Sequence, residues 1–343
     1  NRHHWEGWTN EIAKIGNTHN DRIQAILENP DDTGEIAAFE DFSKEIRDDL
    51  NDAISEADII EMLAQHLITK PVFDALFEGY NFTQHNPMSI AMQAVTEQLE
   101  AHNIDKEADT LRSFYESVKM RAAGIESAEG KQRIIVELYD KFFKNAFPRM
   151  TDRLGIVYTP VEVVDFIIHS IEDVLKAEFG KSMADENVHI IDPFTGTGTF
   201  VTRLLQSGLI PKEKLPHKYR TELHANELVL LAYYIAAINI EATYHGIMND
   251  NVTGQEETDQ IFEVPYEPFE GICLTDTFQM YETEDMIDAL LVENSERRKR
   301  QKELDIRVIM GNPPYSAGQA SANDNNANVS YPNLDERIRS TYA

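Results

Sequence analysis

The chain has 343 residues, of which 42% are hydrophobic, and a formal net charge of −29. This length allows about two domains, whereas so acidic a surface repels phosphate backbones unless a local patch overrides it, which argues against non-specific nucleic-acid binding by this chain alone. The single cysteine, Cys273, excludes an internal disulfide framework. It also suits a reducing cytoplasm, where we expect the protein to reside, and because no apolar run approaches the roughly 18 residues of a membrane helix, we expect no membrane segment.

Residues 1–150 show the periodicity of helices. Apolar residues recur at intervals of three and four, as in Ile46, Leu50 and Ile54. Pro71 interrupts this pattern, together with segments that contain glycine. The sequence therefore predicts an all-α domain over residues 1–150, built from several helices that ordinary loops connect, with acidic residues on its outer faces.

From residue 151 to residue 343, strand-like and helix-like segments alternate. An amphipathic helix begins near Pro160 and is closed by Gly180, a residue type suited to a helix C-terminus. Such β-α-β alternation predicts a parallel, doubly wound sheet and hence an α/β domain over residues 151–343. The segments expected to contain the strands and the residues that directly follow them are 188–194, 221–227, 271–278 and 306–315, and the intervening helices are expected at 199–208 and 228–245.

A dense basic run, ENSERRKRQKE, occupies residues 293–303, just before the last predicted strand. Two interpretations are open: the run forms a solvated face of a helix, or it contacts phosphate groups. We favour the solvated face, because charged runs in globular proteins usually have that role.

The first strand of the α/β domain leads into a glycine loop, DPFTGTGTF at residues 192–200. Gly196 and Gly198 allow a tight turn whose backbone N–H groups face a ligand at a helix N-terminus. The spacing is not the dinucleotide fingerprint, because Val201 stands at the third glycine position. An isolated G-x-G favours a structural turn, but the flanking strand and helix, together with the acidic Asp192, favour a nucleotide-type site.

The second and third strands each end in an acidic residue. Glu227 is placed to accept hydrogen bonds from two ribose hydroxyls, although an acid at a helix N-terminus is also stabilised by the helix dipole. Asp276 is placed to accept a hydrogen bond from an adenine amino group, and a capping role is the alternative. Both acids follow predicted parallel strands, whose carboxyl ends are where open α/β sheets bind ligands.

The last strand stops at Gly311 and is followed by Asn312, Pro313, Pro314 and Tyr315. The amino group of a nucleobase is a poor nucleophile because its lone pair is delocalised into the ring. Two acceptors that hold both N–H bonds free that pair, and the Asn312 side-chain oxygen and the Pro313 carbonyl suit this task. The proline rings stiffen the backbone, and Tyr315 offers a stacking face. Attack on a sulfonium methyl group then depends on positioning and requires no metal.

The order of these motifs resembles the amino-methyltransferases of DNA with the gamma motif order, which use S-adenosylmethionine to methylate adenine N6. The resemblance covers roughly residues 150–343 and rests on YTP at 158–160, DPFTGTGTF, NEL at 226–228, TDTF at 275–278 and NPPY. It implies a Rossmann-like methyltransferase sheet in which Asn312, Pro313, Pro314 and Tyr315 hold a flipped target base. It also implies a donor site made of Tyr158, Thr159, Pro160, Asp192, Pro193, Thr195, Gly196, Gly198, Glu227, Asp276 and Phe278.

The same resemblance assigns roles within the donor site. Thr159 would lie against the methionine end of S-adenosylmethionine, and Glu227 would hold the ribose. Asp276 would face the adenine, with Phe278 beside that ring. No metal ligand is implied.

Segments 60–77, 131–148 and 153–167 look like the coupler and methyltransferase portion of the Type ISP single-chain restriction-modification enzymes. In those proteins a nuclease and a helicase-like ATPase precede this portion, and a target-recognition domain follows it. We expect none of these, nor the later sheet strands, in this chain, so the predicted sheet is incomplete. The resemblance implies a site-specific adenine-N6 DNA methyltransferase module whose double-stranded DNA is engaged mostly by parts outside the chain.

Two alternatives stay open. The NPPY chemistry also serves an RNA base or a protein glutamine, so the acceptor is not determined by the motif. The acidic charge and the missing sheet strands also suit a non-catalytic module that binds the donor or couples other domains. Whether this chain alone is active is equally open.

Overall fold

The computed structural model of the chain describes residues 2–76, 82–100, 115–116, 120, 159–249, 265–280, 282, 290–313 and 331–342. Residues 2–100, called here the helical part, contain helices only in their described ranges, so the predicted all-α character is confirmed. The helices are α1 (Arg2–Glu28), α2 (Thr33–Asp49), α3 (Glu56–Leu76), α4 (Phe82–His85) and α5 (Pro87–Glu100).

The helices of this part form because their apolar residues fall on one face. In α2, Phe39, Phe42 and Ile46 recur at three and four residues and are buried. The start of α5 is fixed by Asn86, whose side-chain oxygen accepts a hydrogen bond from the Ser89 backbone N–H at 3.0 Å. Local sequence thus sets where these helices begin and which face they bury.

Pro71 lies inside α3, so the prediction that it separates two helices is wrong. A proline in a helix removes one backbone hydrogen bond and costs about 3 kcal/mol. The helix continues because the neighbouring Ile68 and Val72 side chains are both 0% exposed. Burial of this turn outweighs the local penalty, which is a tertiary effect.

The predicted alternation of strands and helices is confirmed in residues 159–342, called here the sheet part. The first helix ends at Gly180, whose φ of 58° is left-handed, as its predicted C-terminal role requires. A helical turn at Leu215–His217 and a π-helical turn at Lys218–Glu222 precede the second strand. The elements are α6 (Val161–Phe179), β1 (His189–Asp192), α7 (Thr199–Gln206), β2 (Leu223–Glu227), α8 (Leu230–Asn249), β3 (Ile272–Leu274), α9 (Val292–Glu303), β4 (Ile306–Ile309) and α10 (Pro332–Tyr342).

The four strands form one sheet in the order β3-β2-β1-β4, and every neighbouring pair is parallel. This is the predicted doubly wound, Rossmann-like arrangement. The chain passes from β1 to one side for β2 and β3 and returns to the other side for β4. The carboxyl ends of β1 and β4 therefore meet at the point where the strand order reverses, which is where such sheets bind ligands.

Helix α8 joins the two parts of the molecule. Its residues from Leu230 to His245 are all buried, which fits its nearly continuous apolar sequence. Tyr234 hydrogen-bonds the His66 ring at 3.1 Å, and the Tyr233 hydroxyl accepts a hydrogen bond from Asn86 at 3.1 Å. A continuous hydrophobic core thus extends from the helical part into the sheet part. Within the described ranges, no helix has both the length and the hydropathy to span a membrane.

The basic run forms helix α9, but the favoured interpretation of it as a solvated face is wrong for two of its arginines. Arg297 and Arg298 are only 4% and 3% exposed. Arg298 forms an ion pair with Asp49 at the end of α2, and Asp49 is buried as well. The run therefore holds the helical part against the sheet part, because a buried charge requires a partner of opposite sign.

Candidate functional site

The glycine loop between β1 and α7 takes the predicted tight turn. Gly196 and Gly198 have φ values of 58° and 87°, which side chains other than glycine rarely adopt. A Cβ on Gly198 would lie 3.2 Å from the Ala236 backbone of α8, so this glycine also permits close packing. At Gly196 a Cβ would meet no atom within 4 Å. The loop therefore has open space beside Gly196 and a rigid support behind Gly198.

Hydrogen bonds to the neighbouring strand and helix hold this loop in place. The Thr195 backbone N–H donates to the Asn226 carbonyl on β2 at 2.9 Å, and its hydroxyl donates to the Asp192 carbonyl at 2.8 Å. From α8, the Asn239 side chain donates to the Thr197 carbonyl at 2.9 Å. Thr195, a predicted site residue, thus shapes the loop in this structure.

Glu227 stands at the carboxyl end of β2 and faces the same loop. Its Oε2 accepts a hydrogen bond from the Gly196 backbone N–H at 2.7 Å, and its Oε1 accepts one from Val229 at 2.8 Å. Desolvation raises the pKa of Glu227 to about 7, although these backbone donors favour the charged form. The backbone of Leu228 also interacts with this carboxylate. Because a carboxylate has about four acceptor positions, it can still accept a hydrogen bond from a hydroxyl group.

Asp192, at the carboxyl end of β1, is fully buried. Its Oδ1 accepts a hydrogen bond from the Phe194 backbone N–H at 3.1 Å, while its Oδ2 is buried and has no hydrogen-bond partner in the described part of the chain. Burial, with a smaller contribution from the nearby Glu227 carboxylate, raises the pKa of Asp192 to about 8. An unsatisfied buried carboxylate oxygen is costly, and it is satisfied when a ligand supplies a donor.

Residues 312–315, which are predicted to hold the target base and are called here the acceptor clamp, begin directly beside Asp192. The Met310 backbone N–H donates to the Ile191 carbonyl at 3.0 Å, which keeps the end of β4 on β1. A Cβ on the next residue, Gly311, would lie only 2.5 Å from Asp192 Oδ1, so only glycine allows this approach. Asn312 and Pro313 follow at once, partly exposed and exposed. Pro314 and Tyr315 lie outside the described residues.

Asp276 and Phe278 follow β3 and complete the row of strand ends. Asp276 Oδ1 accepts a hydrogen bond from the Phe278 backbone N–H at 2.9 Å. The Phe278 ring lies 5.3 Å from Phe194 and 5.5 Å from Tyr331, measured between ring centroids. An aromatic cluster from three separate segments therefore borders Asp276. Sequence reasoning missed Phe194, although it stands inside the DPFTG motif, and it also missed Tyr331.

The other residues of the predicted donor site are Pro193 and the YTP motif at 158–160. The Pro193 carbonyl accepts a hydrogen bond from the Thr277 hydroxyl at 2.8 Å, which ties the glycine loop to the end of β3. Thr159 and Pro160 precede α6, whose Asp165 forms an ion pair with Arg203 of α7 at 2.6 Å. Tyr158 lies outside the described residues. The roles of these N-terminal motif residues stay predictions.

Two family descriptions match the chain. The coupler domain of Type ISP restriction-modification enzymes matches residues 4–130, and the N-6 DNA methylase matches residues 130–337. The second range covers more than half of the chain. A comparison with curated protein sequences found no match.

Solved structures with the same fold are similar over nearly the whole chain. A nuclease-deletion mutant of the Type ISP restriction-modification enzyme LlaGI, in complex with a DNA substrate mimic, is 49% identical with a TM-score of 0.84, over 97% of this chain and 26% of that one. The ATP-dependent Type ISP enzyme LlaBIII bound to DNA is 48% identical with a TM-score of 0.87, over 99% of this chain and 23% of that one. The DrdV–DNA complex is 36% identical with a TM-score of 0.82, over 99% of this chain and 32% of that one.

The chain therefore spans a third or less of each of these proteins. The family matches agree with the geometry, in which a glycine loop, two acidic strand ends and an Asn-Pro motif meet at one edge of a parallel sheet. The chain belongs to the N-6 DNA methylase family, and its methylase part is preceded by a coupler domain of the Type ISP restriction-modification enzymes.

Proposed function

We propose that this chain is the catalytic module of an adenine-N6 DNA methyltransferase that uses S-adenosylmethionine as methyl donor. The observation that carries the proposal is the contact between Asp192 and Gly311 at the ends of β1 and β4. This contact places the glycine loop and the Asn312 motif next to each other on one sheet edge. A donor site and an acceptor site must adjoin for direct transfer between two bound molecules.

The residues present fit the proposed donor. S-adenosylmethionine supplies an electrophilic methyl group on a positively charged sulfur and also has an amino group, a ribose and an adenine ring. The buried and unpartnered Oδ2 of Asp192 supplies an acceptor for a cationic or amino donor group. Gly196 leaves open space beside the loop, and Glu227 retains an acceptor position for a ribose hydroxyl. Asp276 offers an acceptor to the adenine amino group.

The clamp residues act on the target base. The Asn312 side-chain oxygen and the Pro313 carbonyl would each accept one N–H of the adenine amino group, so that its nitrogen lone pair points away from the ring plane. Developing positive charge on that nitrogen is stabilised by the same two acceptors. The proline at position 313 restricts the backbone, which keeps both acceptors in place before the base arrives. Tyr315 is proposed to stack on the base.

We further propose that the acceptor is double-stranded DNA and that parts outside this chain make most of the DNA contacts. The solved relatives include complexes with DNA or a DNA mimic, which supports this choice over RNA or a protein glutamine. The net charge of −29 supports the second statement, because an acidic chain attracts a polyanion poorly. Upstream nuclease and helicase-like ATPase domains, and domain limits at 1–150 and 151–343, are part of the same proposal.

The substitution Asn312→Ala tests the assignment of the acceptor clamp. It removes one of the two acceptors and is expected to lower methyl transfer to DNA about a hundred- to a thousandfold. Donor affinity is expected to stay nearly unchanged, because Asn312 is assigned to the target base and not to the donor. Transfer is measured in the full-length protein with labelled donor and DNA, and donor affinity by calorimetry.

Glu227→Ala is the matched comparison, since it is expected to weaken donor binding about tenfold or more through loss of charged hydrogen bonds. A loss of donor affinity in Asn312→Ala equal to that in Glu227→Ala would contradict the assigned roles. If no N6-methyladenine forms in DNA of any sequence and the label appears in RNA or in protein instead, DNA is not the acceptor and the proposal is wrong on this point.

A further inference from the structure

The side chain of Asp276 is held by residues from two distant segments. Its Oδ2 accepts a hydrogen bond from the Asn51 side-chain amide at 3.1 Å and another from the Tyr331 hydroxyl at 2.8 Å. Its Oδ1 accepts only the Phe278 backbone N–H among the hydrogen bonds of the described residues. Since a carboxylate oxygen has two lone pairs, Oδ2 is fully used and Oδ1 keeps one acceptor position.

Asn51 lies just after α2, in the helical part, and its amide has a defined orientation. The Asn51 side-chain oxygen accepts a hydrogen bond from the Ala53 backbone N–H at 3.0 Å. The side-chain NH₂ group therefore has to face Asp276, because a flipped amide would lose both bonds. Asn51 and Asp276 are 6% and 5% exposed, so water competes little for this contact.

The segment that contains Asn51 is anchored to the sheet part. The Asp49 carboxylate, two residues before it, accepts hydrogen bonds from Asn294 and Arg298 of α9. The Asp49 carbonyl accepts a hydrogen bond from the Thr275 hydroxyl at 2.9 Å, directly beside Asp276. This anchoring fixes where Asn51 stands relative to the end of β3.

Tyr331, which directly precedes α10, donates the second hydrogen bond to Asp276 Oδ2. Burial and the nearby Asp276 carboxylate raise the pKa of Tyr331, so the phenol keeps the proton that it donates. The next residues of this segment are also held, because the Glu282 carboxylate accepts hydrogen bonds from the Asn333 and Leu334 backbone N–H groups at 2.9 and 2.7 Å. Tyr331 is thus placed by its own surroundings and not by Asp276 alone.

We propose that Asn51 and Tyr331 are positioning residues for donor recognition, which fix the Asp276 carboxylate so that the free acceptor position of Oδ1 receives the 6-amino group of the donor's adenine. This inference rests on the proposed function. It makes the coupler domain a part of the donor site, since Asn51 belongs to the helical part.

A carboxylate held in one orientation distinguishes an amino group from a carbonyl group, because it attracts the first and repels the second. An amino group at purine C6 donates a hydrogen bond to Oδ1, whereas a carbonyl oxygen at the same place would face the carboxylate with two acceptors opposed. A carboxylate that rotates can turn away from the carbonyl oxygen. Loss of Asn51 or Tyr331 should therefore reduce discrimination at this position more than it reduces affinity in general.

The test compares two ligands by calorimetry on the full-length protein: S-adenosylhomocysteine, with an amino group at purine C6, and S-inosylhomocysteine, with a carbonyl group at C6 and a proton on N1. The unaltered protein is expected to prefer the adenine ligand by about tenfold or more. Asn51→Ala and Tyr331→Phe are each expected to reduce this preference by about tenfold. Asn86→Ala is the matched control, because Asn86 also hydrogen-bonds across from the helical part, to Tyr233, but does not touch Asp276.

The outcomes separate this inference from the proposed function. If Asn51→Ala and Tyr331→Phe weaken both ligands equally and keep the preference, the two residues have only a structural role and the inference is overturned. If the unaltered protein binds neither ligand, the proposed donor site is wrong and the inference falls with it. Tyr331→Phe removes a single oxygen atom, so it provides a folded variant if Asn51→Ala disturbs the contact between the two parts.

Discussion

At the scale of single residues, Asp192 is where the elements of the site converge. Its Oδ1 binds the backbone of the glycine loop, its carbonyl accepts the Thr195 hydroxyl, and Gly311 of the acceptor motif packs against it. Complete burial of this acid disfavours its ionised form and raises its pKa to about 8, against an ordinary value of 3.8. Strongly shifted pKa values are enriched at functional sites, which agrees with the proposed role of Asp192.

The raised pKa predicts how stability depends on pH. Between about pH 4 and pH 8 the folded protein binds a proton at Asp192 that the unfolded chain has released, so the free energy of unfolding falls as the pH rises through this window. Asp192→Asn keeps the shape and is always neutral. We expect its stability relative to the unaltered protein to increase by several kcal/mol between pH 5 and pH 8, since one pKa unit corresponds to about 1.4 kcal/mol.

Urea unfolding without donor, at pH 5 and at pH 8, measures this difference. Asp173→Asn provides the control, because Asp173 is an exposed acid on α6 and its replacement should have nearly the same effect at both values. A stability difference for Asp192→Asn that does not change with pH would show that Asp192 is ionised in the folded protein at both pH values.

At the scale of secondary-structure elements, α9 has two different faces. Arg297 and Arg298 are buried against the helical part and β3, whereas the side chain of Arg300 is 61% exposed and lies 3.8 Å from Glu270. The buried face places the Asp49 carboxylate among Arg298, Asn294 and Ser295. A helix rich in arginine and lysine therefore acts as an internal contact element.

Replacing an arginine on the buried face of α9 is expected to lower the free energy of unfolding more than replacing one on the exposed face. Arg298→Ala leaves the Asp49 carboxylate buried without its cation and is expected to lower the free energy of unfolding by about 3–5 kcal/mol. Arg300→Ala removes an exposed pair and is expected to cost less than about 1 kcal/mol. Chemical denaturation measures both values.

A double variant distinguishes charge from packing at this contact. Asp49→Asn combined with Arg298→Met removes both charges, and it is expected to recover most of the stability that Arg298→Ala loses, since an ion pair replaced on both sides leaves no buried charge. If the double variant were as unstable as Arg298→Ala, loss of packing would be the cause.

At the scale of the whole molecule, the helical and sheet parts depend on each other. Tyr234 of α8 packs edge-on against Phe73 and Phe82 of the helical part, with ring centroids 5.9 Å away in each case. The buried His66 hydrogen-bonds the same tyrosine. Separation of the two parts would expose this aromatic contact and the Asp49 ion pair to water, which costs free energy on both surfaces.

We therefore expect the two parts to unfold together. Hydrogen exchange of the α2 and α3 amides, followed by mass spectrometry, reports on the helical part. Hydrogen exchange of the β1 and β2 amides, followed by mass spectrometry, reports on the sheet part. The two urea midpoints should coincide, as cooperative unfolding requires. Loss of protection in α2 and α3 at a clearly lower urea concentration would mean that the helical part unfolds independently.

Sequence reasoning predicted correctly that the motif residues lie at one edge of the sheet, because the fold places them there by a local rule. Asp192 and Glu227 end β1 and β2, Asp276 and Asn312 follow β3 and β4, and the carboxyl ends of parallel strands lie on one edge of a sheet. The two glycines with positive φ were equally readable, because only glycine adopts that conformation without strain.

By itself, then, the sequence determined the kinds of elements, their order, and the residues at the strand ends, since helical and strand periodicities are properties of neighbouring residues. Only the tertiary structure decided that Pro71 stays within a helix, that Arg297 and Arg298 are buried, and that Asn51 reaches Asp276 across 225 positions of the chain. These features depend on which surfaces pack together. Burial outweighs local preference there, and contacts between residues so far apart leave no pattern in a single sequence.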